Sequence, residues 1–238
     1  MYSKEQFAKM LDYTLLRPQA TRQDVVRYCE EAKKHHFASV CVFPFWVPLV
    51  ARQLAGSDVK TCTVIGYPFG ANGRTVKLFE ARYAITNGAS ELDIVMNISA
   101  LKSGEMGIVE RELSEILGSA HMQGMTADAK RTLIKIIIET AYLTDREKIL
   151  ASEIIRDSGA DFIQTSTGTA PTGATVEDIR LIRNTVGPGV GVKAAGGIRD
   201  VEQALAMLNA GANRIGASNA VGIAEVYDPE IFLAESRR

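Results

Sequence analysis

Asp93, Lys135, Gln164 and Lys193 are polar residues inside four successive apolar segments that are typical of β-strands. A charged side chain in a buried strand requires a partner or a function, because water no longer solvates it. Lysine and aspartate side chains that share a pocket can transfer protons, or they can simply form an ion pair. These residues are the first catalytic candidates, and both interpretations of Asp93 and Lys193 stay open.

Glycine-containing turns after the later predicted strands form a second group of candidates. Backbone N–H groups in such turns, with the start of a short helix, bind phosphate in many α/β barrels, although paired glycines also occur in ordinary turns. Their position favours the phosphate interpretation. The predicted phosphate site consists of Thr167, Gly168, Gly196, Gly197, Gly216, Ser218 and Asn219.

Short β-branched segments alternate with longer amphipathic ones, which predicts repeated β-α units and a parallel sheet. The clear strands are predicted at Ser39–Phe43, Lys60–Ile65, Leu92–Asn97, Leu133–Glu139, Phe162–Thr167, Gly191–Ala195 and Arg214–Ala217. Asp12–Leu15 gives a weaker signal. Together they would close an α/β fold, a TIM (β/α)8 barrel that spans residues 1–238 as a single domain.

Helices are predicted between the strands, and most end near a glycine that suits a left-handed C-cap. They cover Arg22–His35, Thr75–Thr86, Glu105–His121, Asp145–Ser158, Thr175–Val186 and Val201–Asn209. Thr21 is a predicted N-cap. We interpret the polar segment Gln123–Arg131 as a surface connection.

The composition fits a compact domain, since the 238 residues are 46% hydrophobic and 23% charged, with a formal net charge of -1. No run of like charges predicts a nucleic-acid surface, and no apolar run approaches the ~18 residues of a membrane span. Cys29, Cys41 and Cys62 lack a C-x-x-C spacing, and the N-terminus opens no apolar signal segment. We therefore expect a protein of the reducing cytoplasm.

Five segments together closely resemble the deoxyribose-phosphate aldolases, and the resemblance extends over nearly the whole chain. They are Leu11–Leu16, Glu91–Asn97, Lys135–Thr140, Asp161–Gly168 and Val192–Arg199. The resemblance implies a class I aldolase-like TIM barrel and a carbon–carbon lyase reaction, the reversible aldol cleavage of a small phosphorylated aldehyde or sugar. It also implies a role in deoxyribonucleotide catabolism.

One departure from the family affects the reaction itself. Relatives have a lysine at the position of Gln164, and that lysine forms a Schiff base with the substrate carbonyl, which a carboxamide cannot do. The resemblance assigns Lys193 to a second lysine, whose positive charge favours the neutral form of the nucleophile, and Asp93 to proton transfer. We therefore expect very low classical aldolase activity.

Other residues are matched by the resemblance with less definite roles. Lys135 and Glu139 lie on one face of a predicted strand; we interpret Glu139 as part of a polar layer inside the barrel and leave the role of Lys135 open. Further pocket candidates are Asp12, Tyr13, Cys41 and Phe43.

Several departures from the family lie near the predicted mouth of the barrel. Tyr13 replaces a histidine, Arg17 replaces a common lysine, and Phe43–Trp46 is unusually aromatic. Aromatic rings in the pocket would suit a bulkier or less polar substrate, whereas rings after a strand also pack between helices. Both interpretations stay open.

Four interpretations of Gln164 stay open. The chain uses its pocket for enolisation, dehydration or cyclisation through Lys193 and Asp93; or it is an aldolase whose lysine was replaced to trap a substrate; or it only binds a ligand. In the fourth, Lys193 or Lys135 forms the imine instead. The presence of Asp93, Lys193 and the glycine turns favours chemistry or at least ligand binding.

The resemblance implies no metal or organic cofactor, and it implies a small carbonyl compound or sugar phosphate as the binding partner. We expect no nucleic-acid or membrane partner, and a homodimer as the assembly. In the family, a C-terminal tail that ends in tyrosine closes over the site. This chain ends in Glu235–Arg238, so we assign the tail no such role.

Overall fold

The computed structural model describes residues 2–123 and 131–230. Eight parallel strands form a closed barrel in sequence order, and β1 pairs with β8 to complete it. The strands are β1 Leu11–Leu15, β2 Ser39–Val42, β3 Lys60–Ile65, β4 Glu91–Val95, β5 Leu133–Ile137, β6 Phe162–Gln164, β7 Gly191–Ala195 and β8 Arg214–Ala217. The predicted TIM barrel is confirmed, including its weak first strand.

Helices surround the barrel, and all the predicted ones are present. They are α1 Lys4–Ala8, α2 Arg22–His35, α3 Val47–Gln53, α4 Arg74–Thr86, α5 Ile98–Lys102, α6 Met106–Gln123, α7 Asp145–Ser158, α8 Val176–Val186, α9 Val201–Asn209 and α10 Ala220–Val226. Short 3₁₀ helices lie at Pro44–Trp46 and Thr140–Tyr142. The prediction missed α1, α3, α5 and α10, because helices of 5 or 7 residues are too short to show a helical period.

Local side-chain chemistry determines where the longer helices begin and end. The Thr21 hydroxyl accepts a hydrogen bond from the Asp24 N–H at 3.2 Å, and the Asp24 carboxylate accepts one from the Thr21 N–H at 2.9 Å. This reciprocal capping box satisfies N–H groups that the first turn leaves free. Helix α7 ends at its C-cap residue Gly159, which has a φ of 81°, the left-handed conformation that glycine adopts without steric cost.

Four strands end earlier than the sequence predicts, among them β2 at Val42 and β4 at Val95. β5 stops at Ile137 and β6 stops at Gln164. After β5, Glu139 has a φ of 53° and a ψ of 69°, a left-handed backbone that cannot continue a strand. Glu139 therefore lies at the mouth of the barrel and leaves the strand face that it was predicted to share with Lys135.

The apolar core lies mainly between the barrel and the helices. Alternation along each strand directs Leu92, Ile94, Ile134 and Ile136 outward, where all four are 0% exposed. No helix in the described ranges is long and apolar enough to cross a membrane. Most of the predicted surface connection, and the tail Glu235–Arg238, lie outside the described residues.

Candidate active site

Charged side chains from five strands meet inside the barrel and form what we call the ionic layer. Strand alternation accounts for their direction, since residues two positions apart face the same side. The layer consists of Asp12 on β1, Glu91 and Asp93 on β4, Lys135 on β5, Lys193 on β7 and Arg214 on β8. Carboxylates and cations are equal in number, so the layer carries no net charge.

Asp93 lies at the centre of the ionic layer. Its Oδ2 atom is 2.6 Å from Lys193 Nζ, and its Oδ1 atom is 2.9 Å from Lys135 Nζ. Lys193 Nζ is also 2.8 Å from Asp12 Oδ2. Because these four side chains are almost completely inaccessible to solvent, each charge depends on its neighbours for stabilisation.

Arg214 and Glu91 close the network on its other side, and the sequence analysis missed both. Arg214 contacts Asp12 and lies 2.9 Å from Glu91 Oε2, which is also 2.6 Å from Lys135 Nζ. A signal was available for Glu91, which stands two residues before Asp93 and must face the same way. Two acidic residues at that spacing in an apolar strand predict cationic partners across the barrel.

The network determines the protonation of its members. Burial disfavours the ammonium form of Lys193, but Asp12 and Asp93 outweigh burial and raise the pKa of Lys193 above its ordinary value. The pKa of Lys135 is likewise raised, because Asp93 and other anionic neighbours outweigh its burial. Burial would raise the pKa of Asp93, but Lys135 and Lys193 lower it. Both lysines are therefore protonated at neutral pH and are poor nucleophiles.

A cavity of about 360 Å³ opens above the ionic layer, at the carboxyl ends of the strands. That volume suits a small molecule, and the location is where TIM barrels carry their active sites. The predicted residues that line it are Cys41, Asp93, Gln164, Thr167, Gly168, Lys193, Gly196, Gly197, Gly216 and Ser218. Thr14, Arg17, Tyr67 and Arg199 also line the cavity.

Gln164 lies at the inner end of this cavity and is 5% exposed. Its Nε2 atom donates a hydrogen bond to Ser166 O at 3.0 Å, while its Oε1 atom has no hydrogen-bond partner in the described part of the chain. In the sheet register Gln164 stands directly opposite Lys193. A side chain at this position is therefore close both to a ligand in the cavity and to the ammonium group of Lys193 on the next strand.

Several candidates do not line the cavity. Asp12 and Lys135 are fully buried in the ionic layer beneath it. Tyr13 alternates with Asp12 and so faces outward, where its ring stacks on Tyr28 with centroids 3.9 Å apart. The Tyr13 hydroxyl donates to Glu31 at 2.7 Å. Tyr13 is thus a packing residue between barrel and helix.

Phe43 and Asn219 lie near the mouth but also do not line the cavity. The Phe43 ring packs edge-on against Tyr67, with centroids 5.8 Å apart. Asn219 Nδ2 donates to Arg199 O at 3.1 Å, so this amide N–H supports the backbone of the neighbouring loop. Phe43 therefore packs against a residue that itself lines the cavity.

The thiols of Cys41 and Cys62 approach Asp93 so closely that one ligand atom from each residue lies within 4.8 Å of the others. The surroundings disfavour a cation there, because Asp93 already pairs with two ammonium groups. Lys135 Nζ is also 3.6 Å from Cys62 Sγ. Burial and neighbouring groups raise the pKa of Cys62 well above its ordinary value, so its thiol is a hydrogen-bond donor to Asp93 rather than a metal-binding thiolate.

Comparison with known proteins agrees with this geometry. A family model described as DeoC/LacD family aldolase matches residues 7–224. The chain is 50% identical to the deoxyribose-phosphate aldolase of Caldanaerobacter subterraneus over 220 residues, which cover 92% of this chain and 93% of the relative. It is 52% identical to the deoxyribose-phosphate aldolase of Thermococcus gammatolerans over 220 residues, which cover 92% of this chain and 95% of the relative.

A solved structure gives the same result for the fold. The deoxyribose phosphate aldolase of Aeropyrum pernix, described as a unique tetramer, superposes with a TM-score of 0.85 at 34% identity, covering 94% of this chain and 91% of that one. Sequence and structure therefore agree over almost the full length of both proteins. The chain belongs to the DeoC/LacD family of aldolases.

Proposed function

We propose that this chain binds 2-deoxyribose 5-phosphate, or a closely related sugar phosphate, in the cavity above the ionic layer. It is an aldolase-type carbon–carbon lyase scaffold whose covalent step is blocked at Gln164. The observation that carries the proposal is the position of Gln164, at the inner end of the cavity and opposite Lys193. A lysine at position 164 would reach a ligand in the cavity and would lie next to the fixed ammonium group of Lys193.

Electrostatics explains why that position suits a nucleophile. A buried amine near a second cation has a lowered pKa, because both desolvation and like-charge repulsion disfavour its protonation. Lys193 cannot take this role itself, since Asp12 and Asp93 raise its pKa. Lys193 instead provides the fixed positive charge. The interpretation in which Lys193 or Lys135 forms the imine is therefore disfavoured.

The blocked reaction needs an imine to take up the electron pair of the broken bond, and a carboxamide cannot form one. In aldol cleavage through an imine, an amine adds to the aldehyde carbon and water leaves. The bond between the α and β carbons then breaks as its electron pair moves toward the iminium nitrogen and the β-hydroxyl loses its proton. Gln164 can bind the carbonyl group by hydrogen bonds, but it forms no imine.

A reaction without a covalent intermediate is the alternative function, and one observation favours it. Lys193 remains positively charged at the inner end of the cavity beside the ionised carboxylate of Asp93. An ammonium group in a dry site can stabilise the oxygen of an enolate during enolisation or dehydration of a carbonyl compound. This alternative predicts turnover by the chain as it stands, whereas pure ligand binding predicts none.

The deciding experiment compares the retro-aldol cleavage of 2-deoxyribose 5-phosphate by the chain, Gln164→Lys and Gln164→Met. Methionine has a similar length and no amine, so it controls for the change in packing. We expect Gln164→Lys, but not Gln164→Met, to cleave the substrate at least about 10³-fold faster than the parent chain. Removing the nucleophile of a protease lowers kcat by roughly 10⁶-fold, so this expected gain is a lower bound. Inactivity of a folded Gln164→Lys variant would contradict the proposal, and family-normal activity of the parent chain would contradict the blocked step.

Two further expectations belong to the proposal. Cys29, Cys41 and Cys62 are all buried free thiols, which supports a reducing compartment such as the cytoplasm. A homodimer is the proposed assembly, and sedimentation equilibrium would test it. The tetramer described for the Aeropyrum pernix relative makes a larger assembly the main competing result.

A further inference from the structure

Glu139 is a buried carboxylate outside the ionic layer. It is 1% exposed and has a φ of 53°; in the described ranges only His36 is another non-glycine residue with a positive φ. A side chain with a Cβ atom adopts this left-handed backbone at a steric cost. Such conformations persist where the surroundings hold them in place, and they cluster at functional sites.

The contacts of Glu139 lead directly to the cavity. Thr167 donates its backbone N–H to Glu139 Oε2 at 3.2 Å and its hydroxyl to the same oxygen. Thr167 lines the cavity, whereas Glu139 does not. The Glu139 carboxylate thus acts on a ligand only through Thr167.

A second element holds Thr167 from the opposite side. The Tyr67 hydroxyl donates to Thr167 O at 3.1 Å. Burial raises the pKa of Tyr67 to about 12, so the phenol keeps its proton at neutral pH. The backbone and side chain of Thr167 are therefore fixed by groups that follow β3 and β5, although Thr167 itself follows β6.

These bonds determine what Thr167 can offer a ligand. Both of its donors are already used by Glu139, and its hydroxyl oxygen accepts from the Thr169 N–H at 3.1 Å. The Thr169 hydroxyl, 2.9 Å away, can rotate to free the remaining lone pair. Thr167 therefore has no free donor for a phosphate oxygen, and it can only accept a hydrogen bond.

We propose that Glu139 is a positioning residue that fixes Thr167 as an acceptor for a hydroxyl group of the substrate. The inference rests on the proposed function and changes the expected role of Thr167 from a phosphate ligand to a sugar ligand. Phosphate recognition then falls to the glycine turns and to the cationic side chains that line the cavity, Arg17 and Arg199. Different loops would then bind the sugar and the phosphate group of the substrate.

The test uses the parent chain with Glu139→Ala, Glu139→Gln, Thr167→Val and the double variant Glu139→Ala/Thr167→Val. Calorimetry at neutral pH measures the Kd for 2-deoxyribose 5-phosphate and, separately, for inorganic phosphate. Hydrogen exchange followed by mass spectrometry measures the backbone protection of residues 165–169, with α2 as an internal reference for global folding. Exchange reports on the position of Thr167 without requiring any ligand.

We expect Glu139→Ala to weaken sugar-phosphate binding about tenfold, the equivalent of one well-formed hydrogen bond, and to leave inorganic phosphate within about twofold. Exchange in residues 165–169 should accelerate in Glu139→Ala while α2 stays protected. Glu139→Gln should restore much of both properties, since its amide oxygen still accepts. The double variant should bind no more weakly than Thr167→Val, because Glu139 acts through Thr167.

Unchanged exchange in residues 165–169 of Glu139→Ala would overturn the positioning role. Equal weakening of sugar-phosphate and phosphate binding would overturn the division between the two parts of the substrate. A parent chain that binds phosphate but not the sugar phosphate would refute the proposed function and with it the sugar role of Thr167. If exchange in residues 165–169 of Glu139→Ala still accelerated, the substrate assignment would be wrong but the positioning role of Glu139 would stand.

Discussion

The ionic layer and the carboxyl end of the barrel differ in how many of their buried polar groups have partners. In the layer, each carboxylate oxygen of Asp93 faces an ammonium group, and Cys62 Sγ lies 3.3 Å from Asp93 Oδ1. At and just beyond the carboxyl ends of β5 and β6, Thr140 Oγ1, Gln164 Oε1 and Ser166 Oγ are buried with no hydrogen-bond partner in the described residues. Folded proteins satisfy nearly all such atoms, so Gln164 Oε1, which belongs to a residue that lines the cavity, is available to a ligand.

We infer from this difference that the ionic layer mainly serves the fold and that the cavity above it serves function. The ionic layer is neutral and its charges pair with one another, although Asp12 Oδ2 has an ion pair with Lys193 Nζ at 2.8 Å and no hydrogen bond within the described residues. The layer therefore holds the strands together and fixes the charge of Lys193. The mouth keeps free acceptors, backbone turns with positive φ at Gly168, Gly196 and Gly197, and a left-handed Glu139. Substitutions should therefore affect stability in the layer and binding at the mouth.

The largest effect on stability is expected for Lys135→Met. This change leaves Glu91 and Asp93 with one cation fewer in a dry environment, which should lower the free energy of unfolding by about 3–5 kcal/mol. Lys102→Met is the matched control, since it removes a half-exposed partner of Glu147 and should cost at most about 1 kcal/mol. Equal losses in urea denaturation would erase the distinction between the layer and an ordinary surface pair.

A smaller effect should appear as the pH falls. Burial favours the protonated form of Asp12, yet Arg214 and Lys193 outweigh burial and lower its pKa, as Lys135 and Lys193 do for Asp93. Groups with a lowered folded pKa stabilise the fold above their ordinary pKa of about 3.9, and that stability is lost as the pH falls through the folded value. Urea midpoints should therefore be flat from about pH 6 to 8 and decline below about pH 4.

Glu139 should act with the opposite sign in the same titration. Burial raises its pKa, so the folded state holds its proton more tightly than the unfolded state does. Stability from Glu139 is greatest at low pH and declines as the pH rises from the ordinary glutamate value of about 4.3 through the raised one. Glu139→Gln should remove this component, leaving a steeper acid-side decline in the midpoints; an identical curve would show that Glu139 is not perturbed.

The smallest stability effect is expected in the cavity, for Gln164→Leu. The variant loses the hydrogen bond to Ser166 O but also removes the unpartnered Oε1 atom, and the side-chain volume is similar. These changes oppose each other, so the free energy of unfolding should shift by no more than about 1 kcal/mol. A loss as large as that of Lys135→Met would place Gln164 in the structural part of the interior.

The fold was predictable from the sequence because its signals are local and periodic. Thr21 and Gly159 mark helix ends through capping chemistry that depends on a few neighbouring residues. Alternation in β1 could also have shown that an inward Asp12 requires an outward Tyr13. The barrel's closure is non-local, but repeated β-α units leave few other ways to bury the sheet.

The candidate site was predictable only in part, because its geometry depends on contacts between distant segments. The sequence indicated Asp93, Lys193 and the glycine turns as cavity residues, but nothing local marks Arg214 as a partner of Asp12 across the sheet. The left-handed conformation of Glu139 arises where β5 meets the loop after β6, and its sequence context predicts a continued strand. Fine positioning is therefore the part that only the three-dimensional structure reveals.

We propose that one amine at position 164 is all that the cavity lacks for Schiff-base chemistry. The most direct measurement is intact-mass and peptide mapping after borohydride reduction of the parent chain and Gln164→Lys with 2-deoxyribose 5-phosphate. We predict a single adduct in the variant, on the introduced lysine, and none on the parent. An adduct on Lys193 or Lys135 of the parent chain, or no adduct on a folded Gln164→Lys variant, would contradict the account.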